Sequence, residues 1–316
     1  MNCSLEISCT QFTFAVQEPG TLPAMKGSTW HGILGSRMKQ LFCLYPHTSC
    51  TGCSHRSACG YVDFFEPHLQ SSEEQTPSSF QKGFVLRDMT DMRKQFQPGD
   101  LLTVGLVFVG RIQKYLPLLV ADFSRPFRIG KVPFTIQLSE VRQLQFAKLS
   151  ELVLFREGQL ILAPTSTNTV GQLWKLAEGV HSNSVQLNFL TPTRMKTAGR
   201  LNKAPNFEQI VQALIRKLNA FAVHFGDGRD VIGAEHYQEL MKNCRSLHVV
   251  ENSLRWVDWK RYSRRSEETM TLGGFIGTLT VSGNLKPLLP LLLLGEYLHV
   301  GKQASFGLGQ YRCQFV

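Results

Sequence analysis

Nine residues at positions 301–309, Gly-Lys-Gln-Ala-Ser-Phe-Gly-Leu-Gly, have the types and spacing that best fit a chemical role, and they are called the glycine-rich loop below. Glycine reaches positive φ at low cost and has no Cβ, so such a loop can bring its backbone close to a phosphate. The G-K-[S/T] ending of a P-loop is absent, and the loop precedes a strand rather than a helix, which argues against the common nucleotide-binding motifs. A tight turn before a terminal strand explains the same spacing, so both interpretations stay open.

Two further segments are rich in cations, and the second also carries aromatic residues. Residues 191–203 contain no acidic residue and include Arg194, Lys196, Arg200 and Lys203. Residues 255–265 interleave Trp256, Trp259 and Tyr262 with Arg255, Lys260, Arg261, Arg264 and Arg265. Cations pair with phosphates and aromatic faces stack on unpaired bases, so this mixture favours RNA over a generic anion. The alternative is a solvated hairpin whose aromatic residues face the core.

A cysteine cluster follows the first predicted helix. Four thiols lie within a short stretch that also contains His47 and His55: Cys43, Cys50, Cys53 and Cys59. The C-x2-C element is typical of a zinc knuckle, and four thiolates would suit structural zinc. An iron–sulfur cluster uses the same ligands and is the less favoured metal. The flanking spacings are irregular, so ordinary reduced cysteines remain the third interpretation.

The composition limits the class of protein. The 316 residues carry 34 Lys+Arg against 24 Asp+Glu, a net charge of +10 with a pI near 9.3, which favours a polyanionic partner over a small-molecule substrate. The length and the 43% hydrophobic content predict two domains. No secretory leader is evident in residues 1–19, and the apolar stretch 285–294 is too short to span a bilayer. We therefore expect a cytoplasmic protein without a membrane partner.

The first half of the chain is predicted to contain secondary-structure elements in the order β-α-β-β-α-β. Alternation over 5–16, with a shift of phase, predicts an edge strand with a bulge. Residues 23–43 predict a helix, and a cysteine-rich insertion runs from about 43 to 81. A buried strand is expected at 101–109, a helix after Arg111, and a hairpin turned at Glu157-Gly158. These elements predict an N-terminal domain over residues 1–165.

The second half repeats that order over residues 180–316. Val185, Leu187 and Phe189 alternate as a strand, and Asn206 caps a long helix with apolar residues at helical spacing. Strands are expected at 255–262 and 274–282, followed by a short helix at 287–294, the glycine-rich loop and a final strand. The sequence therefore predicts an α+β protein of two tandem ferredoxin-like (RRM-like) domains, with the insertion after the first helix.

The C-terminal third also carries longer matching strings. They are Leu190-Thr191-Pro192-Thr193-Arg194, Trp259-Lys260-Arg261-Tyr262-Ser263, Leu272-Gly273-Gly274-Phe275-Ile276-Gly277, and Leu298-His299-Val300 with the loop that follows. Over residues 186–316 the chain resembles the CRISPR repeat-RNA processing endoribonucleases of the RAMP superfamily. In the first half the resemblance depends on Trp30-His31-Gly32, on the cysteine-bearing insertion found in one branch of that family, and on Phe64-Phe65-Glu66.

The resemblance implies a concrete activity. Such enzymes cleave precursor CRISPR RNA within its repeats without a catalytic metal: the 2′-OH attacks the adjacent phosphate and leaves 2′,3′-cyclic phosphate and 5′-OH ends. The mature guide RNA often stays bound, and other CRISPR effector subunits are then partners. A RAMP-type RNA-binding subunit of an effector complex that does not cleave is the alternative, and an unrelated metal-cluster protein with a basic surface is a third.

The resemblance also implies site residues. His47 is the first candidate for the general base or acid, followed by His31 and His299, because histidine titrates near neutral pH. Lys39 is a further candidate, because members of the family without a suitable histidine rely on lysine or arginine. The expected RNA-binding residues are Arg194, Lys196, Arg200, Lys203, Arg255, Lys260, Arg261, Arg264, Arg265, Gly301, Lys302, Ser305, Gly307 and Gly309.

Overall fold

The computed structural model describes residues 3–70, 81–161, 168–197, 199–263 and 268–315. Backbone contacts divide the chain into two units. Residues 5–168 and 220–228 form the N-terminal unit, while residues 1–4, 169–219 and 229–316 form the C-terminal unit.

The N-terminal unit contains strands β1 (Glu6–Val16), β2 (Gly20–Thr21), β3 (Phe84–Arg87), β4 (Gln95–Phe96), β5 (Leu101–Val109), β6 (Phe127–Ile129), β7 (Phe134–Gln145), β8 (Ser150–Arg156) and β9 (Gln159–Leu160). Its helices are α1 (Gly27–Phe42), α2 (Gly60–Phe65) and α3 (Leu116–Phe123), and the chain leaves the unit through β10 (Asn168–Thr169).

The main sheet of this unit has the strand order β3-β5-β1-β7-β8-β9, and its ladders are antiparallel. The strands β1, β3, β5 and β7 with helices α1 and α3 give the β-α-β-β-α-β order, and β8 and β9 extend the sheet beyond it. The predicted hairpin is therefore an addition, turned at Glu157 and Gly158, which both have positive φ. The fourth strand of the ferredoxin-like unit is β7, which the sequence analysis did not identify.

Strand β1 corrects a second expectation. It was predicted as an edge strand, but it pairs with β5 on one side and β7 on the other and is central. The predicted bulge is present, because the register against β7 shifts between Thr13 and Phe14. The burial of Ile7, Phe12 and Phe14 follows from this central position.

Helix α1 covers the sheet with one apolar stripe. Trp30, Leu34 and Met38 recur at helical spacing and are buried, and the Trp30 ring lies 5.1 Å from that of Phe14. Leu41, in the last turn of the helix, is 40% exposed. The helix begins at Gly27 and ends at Phe42, which shortens the predicted span at its start.

The insertion after α1 contains α2 and short 3-10 helices. One attachment is Asp63 on α2, a buried carboxylate that accepts hydrogen bonds from Arg111 at 3.1 Å and from the Tyr115 hydroxyl at 3.0 Å. Lys114 lies 2.9 Å from the same carboxylate. A buried charge is costly unless it is paired, and these partners satisfy it.

The C-terminal unit contains strands β11 (Ser184–Thr193), β12 (Met195–Thr197), β13 (Arg200–Asn202), β14 (His248–Asn252), β15 (Arg255–Ser263), β16 (Glu268–Ser282) and β17 (Tyr311–Phe315). Its helices are α4 (Val170–Glu178), α6 (Ala234–Arg245) and α7 (Leu289–Leu298), and α5 (Phe207–Phe225) contributes its first 13 residues.

The sheet of this unit has the order β14-β16-β11-β17, and β15 pairs with the first part of the long β16. With α5 and α7 this is the ferredoxin-like arrangement again, so the predicted fold class is confirmed. Helix α6, between α5 and β14, was not predicted. Strands β12 and β13 form a separate two-stranded ribbon ahead of α5.

The predicted cap of α5 is confirmed. The side-chain oxygen of Asn206 accepts the Gln209 backbone amide at 2.9 Å, and Gln209 Oε1 accepts the Asn206 amide at 3.1 Å, which is a reciprocal capping box. Gln209 also accepts a hydrogen bond from Asn202 of β13 at 2.9 Å. The cap thus connects the ribbon to the helix.

In the described parts of the chain, no helix combines the length and the apolar character needed to cross a bilayer.

Candidate nucleic-acid interface

The glycine-rich loop needs glycine at both of its ends. Gly301 and Gly309 have φ of 77° and 79°, which L-residues rarely adopt. A Cβ at Gly309 would lie 1.9 Å from the Val300 carbonyl oxygen, and one at Gly301 would lie 2.4 Å from that of Arg194. The two glycines therefore let the loop approach its own start and the segment after β11.

Backbone hydrogen bonds attach the loop to that segment. The Lys302 amide donates to the Arg194 carbonyl at 2.8 Å, and the Gly309 amide donates to the Pro192 carbonyl at 3.1 Å. The buried Thr191 hydroxyl donates to the carbonyl of Gly307 at 2.8 Å. These three hydrogen bonds attach the loop to the end of β11 and bring residues that are far apart in sequence next to one another.

Two residues other than glycine adopt positive φ where the loop begins. His299 has φ 59° and ψ 163°, and Gln303 has φ 65° and ψ 31°. The His299 ring is fully buried and its Nδ1 lies 3.1 Å from the Leu308 carbonyl oxygen. The ring therefore holds the two ends of the loop together, and its burial favours this structural role over contact with a substrate. Ser305, proposed to bind RNA, is also buried.

Three cations meet beside the loop. Burial lowers the pKa of Lys302, and the charges of Lys196 and Arg194 lower it further. Lys196 lies on β12 and is exposed, while Arg194 is half-buried and its guanidinium lies 3.4 Å from the Gly273 carbonyl oxygen on β16. We call Arg194, Lys196 and Lys302 the cation cluster. A polyanion bound there would relieve the repulsion between these charges.

The ribbon and the β15–β16 hairpin continue this surface. Lys203 follows the ribbon and its ammonium lies over the Trp256 ring, 5.5 Å from the centroid. Arg200 on β13 and Arg255 on β15 are both exposed. Lys260 and Arg261 lie on β15 opposite Thr271 and Met270 of β16. Arg264 and Arg265 lie outside the described residues.

The catalytic candidates of the N-terminal unit differ in exposure. His47 is exposed, in the segment between α1 and the first 3-10 helix of the insertion. The half-buried His31 ring packs at 5.2 Å from the Phe65 ring and 6.1 Å from that of Phe84. Lys39 lies over the Tyr61 ring at 5.9 Å. Of these three side chains, His47 is the one most accessible to a ligand.

The four insertion cysteines are free thiols of intermediate exposure. Burial raises the pKa of Cys50; Lys39 lowers it, whereas the nearby Glu66, Cys43 and Cys59 raise it. Three thiols therefore lie near one another. Within the described ranges, however, no group of three or more His, Cys, Asp or Glu side chains is arranged to hold a metal ion. Structural zinc, or an iron–sulfur cluster, stays a prediction that this arrangement does not support.

One residue of the site was missed by the sequence analysis. Lys217 lies on α5 and is buried, and its ammonium donates to the Leu298 carbonyl at 3.3 Å, next to the start of the glycine-rich loop. Burial lowers its pKa to about 7. The signal was present, because Lys217 lies between Leu214 and Phe221 on the apolar stripe of the helix.

Comparison with known families covers most of the chain. Residues 5–167 match the family model of an N-terminal domain, AF_1859_N. Residues 187–311 match the family of the CRISPR-associated endoribonuclease Cas6. An uncharacterized protein of Archaeoglobus fulgidus is 22% identical over 299 residues, covering 92% of each chain.

Solved structures share the fold. A chain of a partial Cas6-RT-Cas1–Cas2 complex matches with a TM-score of 0.63 and 13% identity, covering 100% of this chain and 47% of that one. Thermus thermophilus Cas6 matches with a TM-score of 0.55 and 16% identity, covering 99% and 100%. A Cas6 product complex matches with a TM-score of 0.57 and 16% identity, covering 98% of this chain and 100% of that one. This chain thus spans about half the length of the first of these proteins.

Proposed function

We propose that this chain, whose residues 187–311 match the family of the CRISPR-associated endoribonuclease Cas6, cleaves precursor CRISPR RNA within the repeats. The observation that carries the proposal is the cation cluster fixed beside the glycine-rich loop. Phosphate contacts of this kind give affinity and register for a nucleic-acid backbone. The similar solved structures include a Cas6 product complex, which supports RNA as the ligand.

The proposed reaction is an in-line transesterification. The 2′-oxygen of the ribose forms a bond to the adjacent phosphorus, and the bond from phosphorus to the 5′-oxygen breaks. A general base takes the 2′-OH proton and a general acid gives one to the leaving 5′-oxygen. The products are a 2′,3′-cyclic phosphate and a 5′-OH. The bond changes and proton transfers do not require a metal, since cationic side chains of the protein can stabilise the negative charge that develops on the phosphate oxygens.

His47 is our first candidate for the proton transfers, because it is exposed and an imidazole can both accept and donate a proton. We expect His47→Ala to abolish cleavage and leave RNA affinity unchanged. His55→Ala is the matched control, since His55 is an exposed histidine of the same insertion. Retained cleavage by the His47 variant would move the role to His31 or Lys39.

The deciding experiment incubates the purified protein with repeat RNA from its own locus, in EDTA and in Mg²⁺. A single cut in both buffers, with a 2′,3′-cyclic phosphate on the upstream product, is the expected result. Repeat RNA with one 2′-deoxyribose at the cut site is the matched control and should bind without being cut. Cleavage in Mg²⁺ alone, or cleavage of the 2′-deoxy RNA, would contradict the proposed chemistry.

Retention of the product guide RNA and association with other CRISPR proteins belong to the same proposal. The association with other CRISPR proteins is supported by the fold shared with a chain of the Cas6-RT-Cas1–Cas2 complex. A non-cleaving RNA-binding subunit is the second candidate function, favoured by the burial of His299 and the packing of His31 against aromatic rings. Tight binding of the repeat RNA without any cut would establish it.

A further inference from the structure

Trp256 has a fixed place on the β15–β16 hairpin. Its indole Nε1 donates to the Asp258 carboxylate at 2.8 Å, two residues along the same strand. The ring also lies against the backbone of Gly273 on β16, where a Cβ would be 2.3 Å from Trp256 Cζ2. The hydrogen bond sets the orientation of the ring, and the glycine gives it room. An aromatic ring held in this way is preorganised for a ligand.

The ring is not enclosed by the core. Trp256 is half-buried, and the group over its face is the ammonium of Lys203, an exposed residue. A cation over an indole face is attracted by the ring quadrupole, but at an exposed site this attraction is weak. Lys203 can therefore leave the ring for a phosphate and open the indole face to a flat apolar group.

The ring adjoins the cation cluster. The Arg194 guanidinium lies 3.4 Å from the Gly273 carbonyl oxygen, and the Trp256 ring lies against that same glycine. Arg194, Trp256 and Lys203 thus lie side by side within the C-terminal unit. A group that stacks on Trp256 would have two cations near it, and a nucleotide bound by base stacking with its phosphates paired needs such neighbours.

We propose that Trp256 is a stacking platform for one unpaired base of the bound RNA, with Arg194 and Lys203 holding the adjacent phosphates. This inference rests on the proposed function, because it needs RNA at the cation cluster. It adds that the RNA is single-stranded at this point, since a base in a duplex stacks on its neighbours and does not offer a face to a side chain.

The test measures affinity for two probes of equal length, oligoadenylate and an abasic ribose-phosphate chain, at one salt concentration. The probes carry the same phosphates and differ in their bases. Trp256→Leu should weaken oligoadenylate binding about 5- to 100-fold, the usual effect of losing one base–aromatic stack, and leave abasic binding unchanged. Trp256→Phe should retain part of the preference for oligoadenylate.

Lys203→Gln is the matched control for the phosphate contacts and should weaken binding of both probes by the same factor. Equal effects of Trp256→Leu on the two probes, or no effect on either, would overturn the platform while RNA binding stands. The abasic probe and the Trp256→Phe variant control for misfolding. A misfolded surface would bind both probes more weakly, whereas loss of the stacking contact alone would weaken only oligoadenylate binding. If the wild-type protein cuts repeat RNA but binds neither probe, the platform is overturned and the proposed function stands; if it neither binds nor cuts repeat RNA, the proposed function is overturned as well.

Discussion

His299 illustrates how one residue can carry both strain and a stabilising contact. Its φ of 59° and ψ of 163° lie in a region that is almost restricted to glycine, at a cost of about 1–3 kcal/mol for other residues. The buried ring offsets this cost by filling space and bonding to the Leu308 carbonyl. Two substitutions can separate the contribution of the strained backbone to the stability from the contribution of the buried ring.

We expect His299→Ala to be less stable than His299→Gly by about 1–2 kcal/mol, because both lose the ring but alanine keeps the strain. This is the reverse of the usual order, in which alanine is the more stable replacement. Urea unfolding of the two variants measures the difference. An alanine variant at least as stable as the glycine variant would show that the backbone at 299 is unstrained.

Lys217 makes stability depend on pH with a defined sign. Burial lowers its pKa to about 7, whereas the unfolded chain keeps the ordinary value near 10.5. Between these values the unfolded state binds more protons than the folded state, so stability rises with pH across that window. Below about pH 7 both states carry the charge, and the cost of burying it is constant.

Lys217→Met removes the buried charge at similar volume. At pH 6 we expect the variant to be more stable than the wild-type protein by a few kcal/mol. Each unit by which the pKa of Lys217 differs between the folded and unfolded states corresponds to about 1.4 kcal/mol. The advantage should shrink steadily as the pH rises to 10. Urea unfolding at several pH values measures it, and comparison with the wild type cancels the other titrating groups. An advantage that does not vary with pH would contradict the assignment.

The glycine-rich loop depends on close approach as well as on φ. Gly301 has φ 77° and faces the Arg194 carbonyl, whereas Gly158 in the β8–β9 turn has φ 82° and no described atom within 4 Å of the point where a Cβ would lie. Alanine at either position meets the left-handed backbone cost of about 1–2 kcal/mol. At 301 it must also displace Arg194, a member of the cation cluster.

Gly301→Ala should therefore cost more stability than Gly158→Ala and should also weaken RNA binding, which the control should leave unchanged. Chemical unfolding and RNA affinity, measured on both variants, test the two effects. Equal losses of stability with unchanged affinity would mean that φ alone requires glycine at 301.

Local signals predicted some elements well and others poorly, for physical reasons. The α5 helix was predicted because Asn206 caps it and its apolar residues recur at helical spacing, both of which are local properties. Strand β7 was missed although Phe134, Ile136 and Leu138 alternate in the sequence. The central position of β1 could not be read locally at all, because strand neighbours are set by pairing across the sheet.

At the scale of the whole molecule, the net charge of +10 indicates a polyanionic partner but not where it binds. The structure brings Lys302 beside Arg194 through a backbone hydrogen bond across more than 100 positions of the chain. The sequence named both residues as RNA-binding candidates but gave no sign that they meet. The exposure of the candidate histidines likewise depends on tertiary packing, since the His31 ring packs against Phe65 and Phe84.

Lys302→Gln tests whether RNA affinity comes from the cation cluster or from net charge. Its control is Lys286→Gln, which removes the same charge from an exposed residue ahead of α7. At physiological salt, charges are screened beyond about 8 Å, so a lysine away from the RNA contributes little. The Lys302 variant should weaken RNA binding several-fold, and the slope of log K against log salt should fall by about 0.7.

The Lys302 variant should also be slightly more stable than the wild type, by a few tenths of a kcal/mol, because the remaining cations of the cluster lose a like-charged neighbour. A functional cluster thus predicts opposite changes in affinity and stability, whereas a purely structural lysine would lower both. Equal salt slopes for the Lys302 and Lys286 variants would show that the affinity follows total charge. In that case the RNA-binding surface would have to be sought away from the glycine-rich loop.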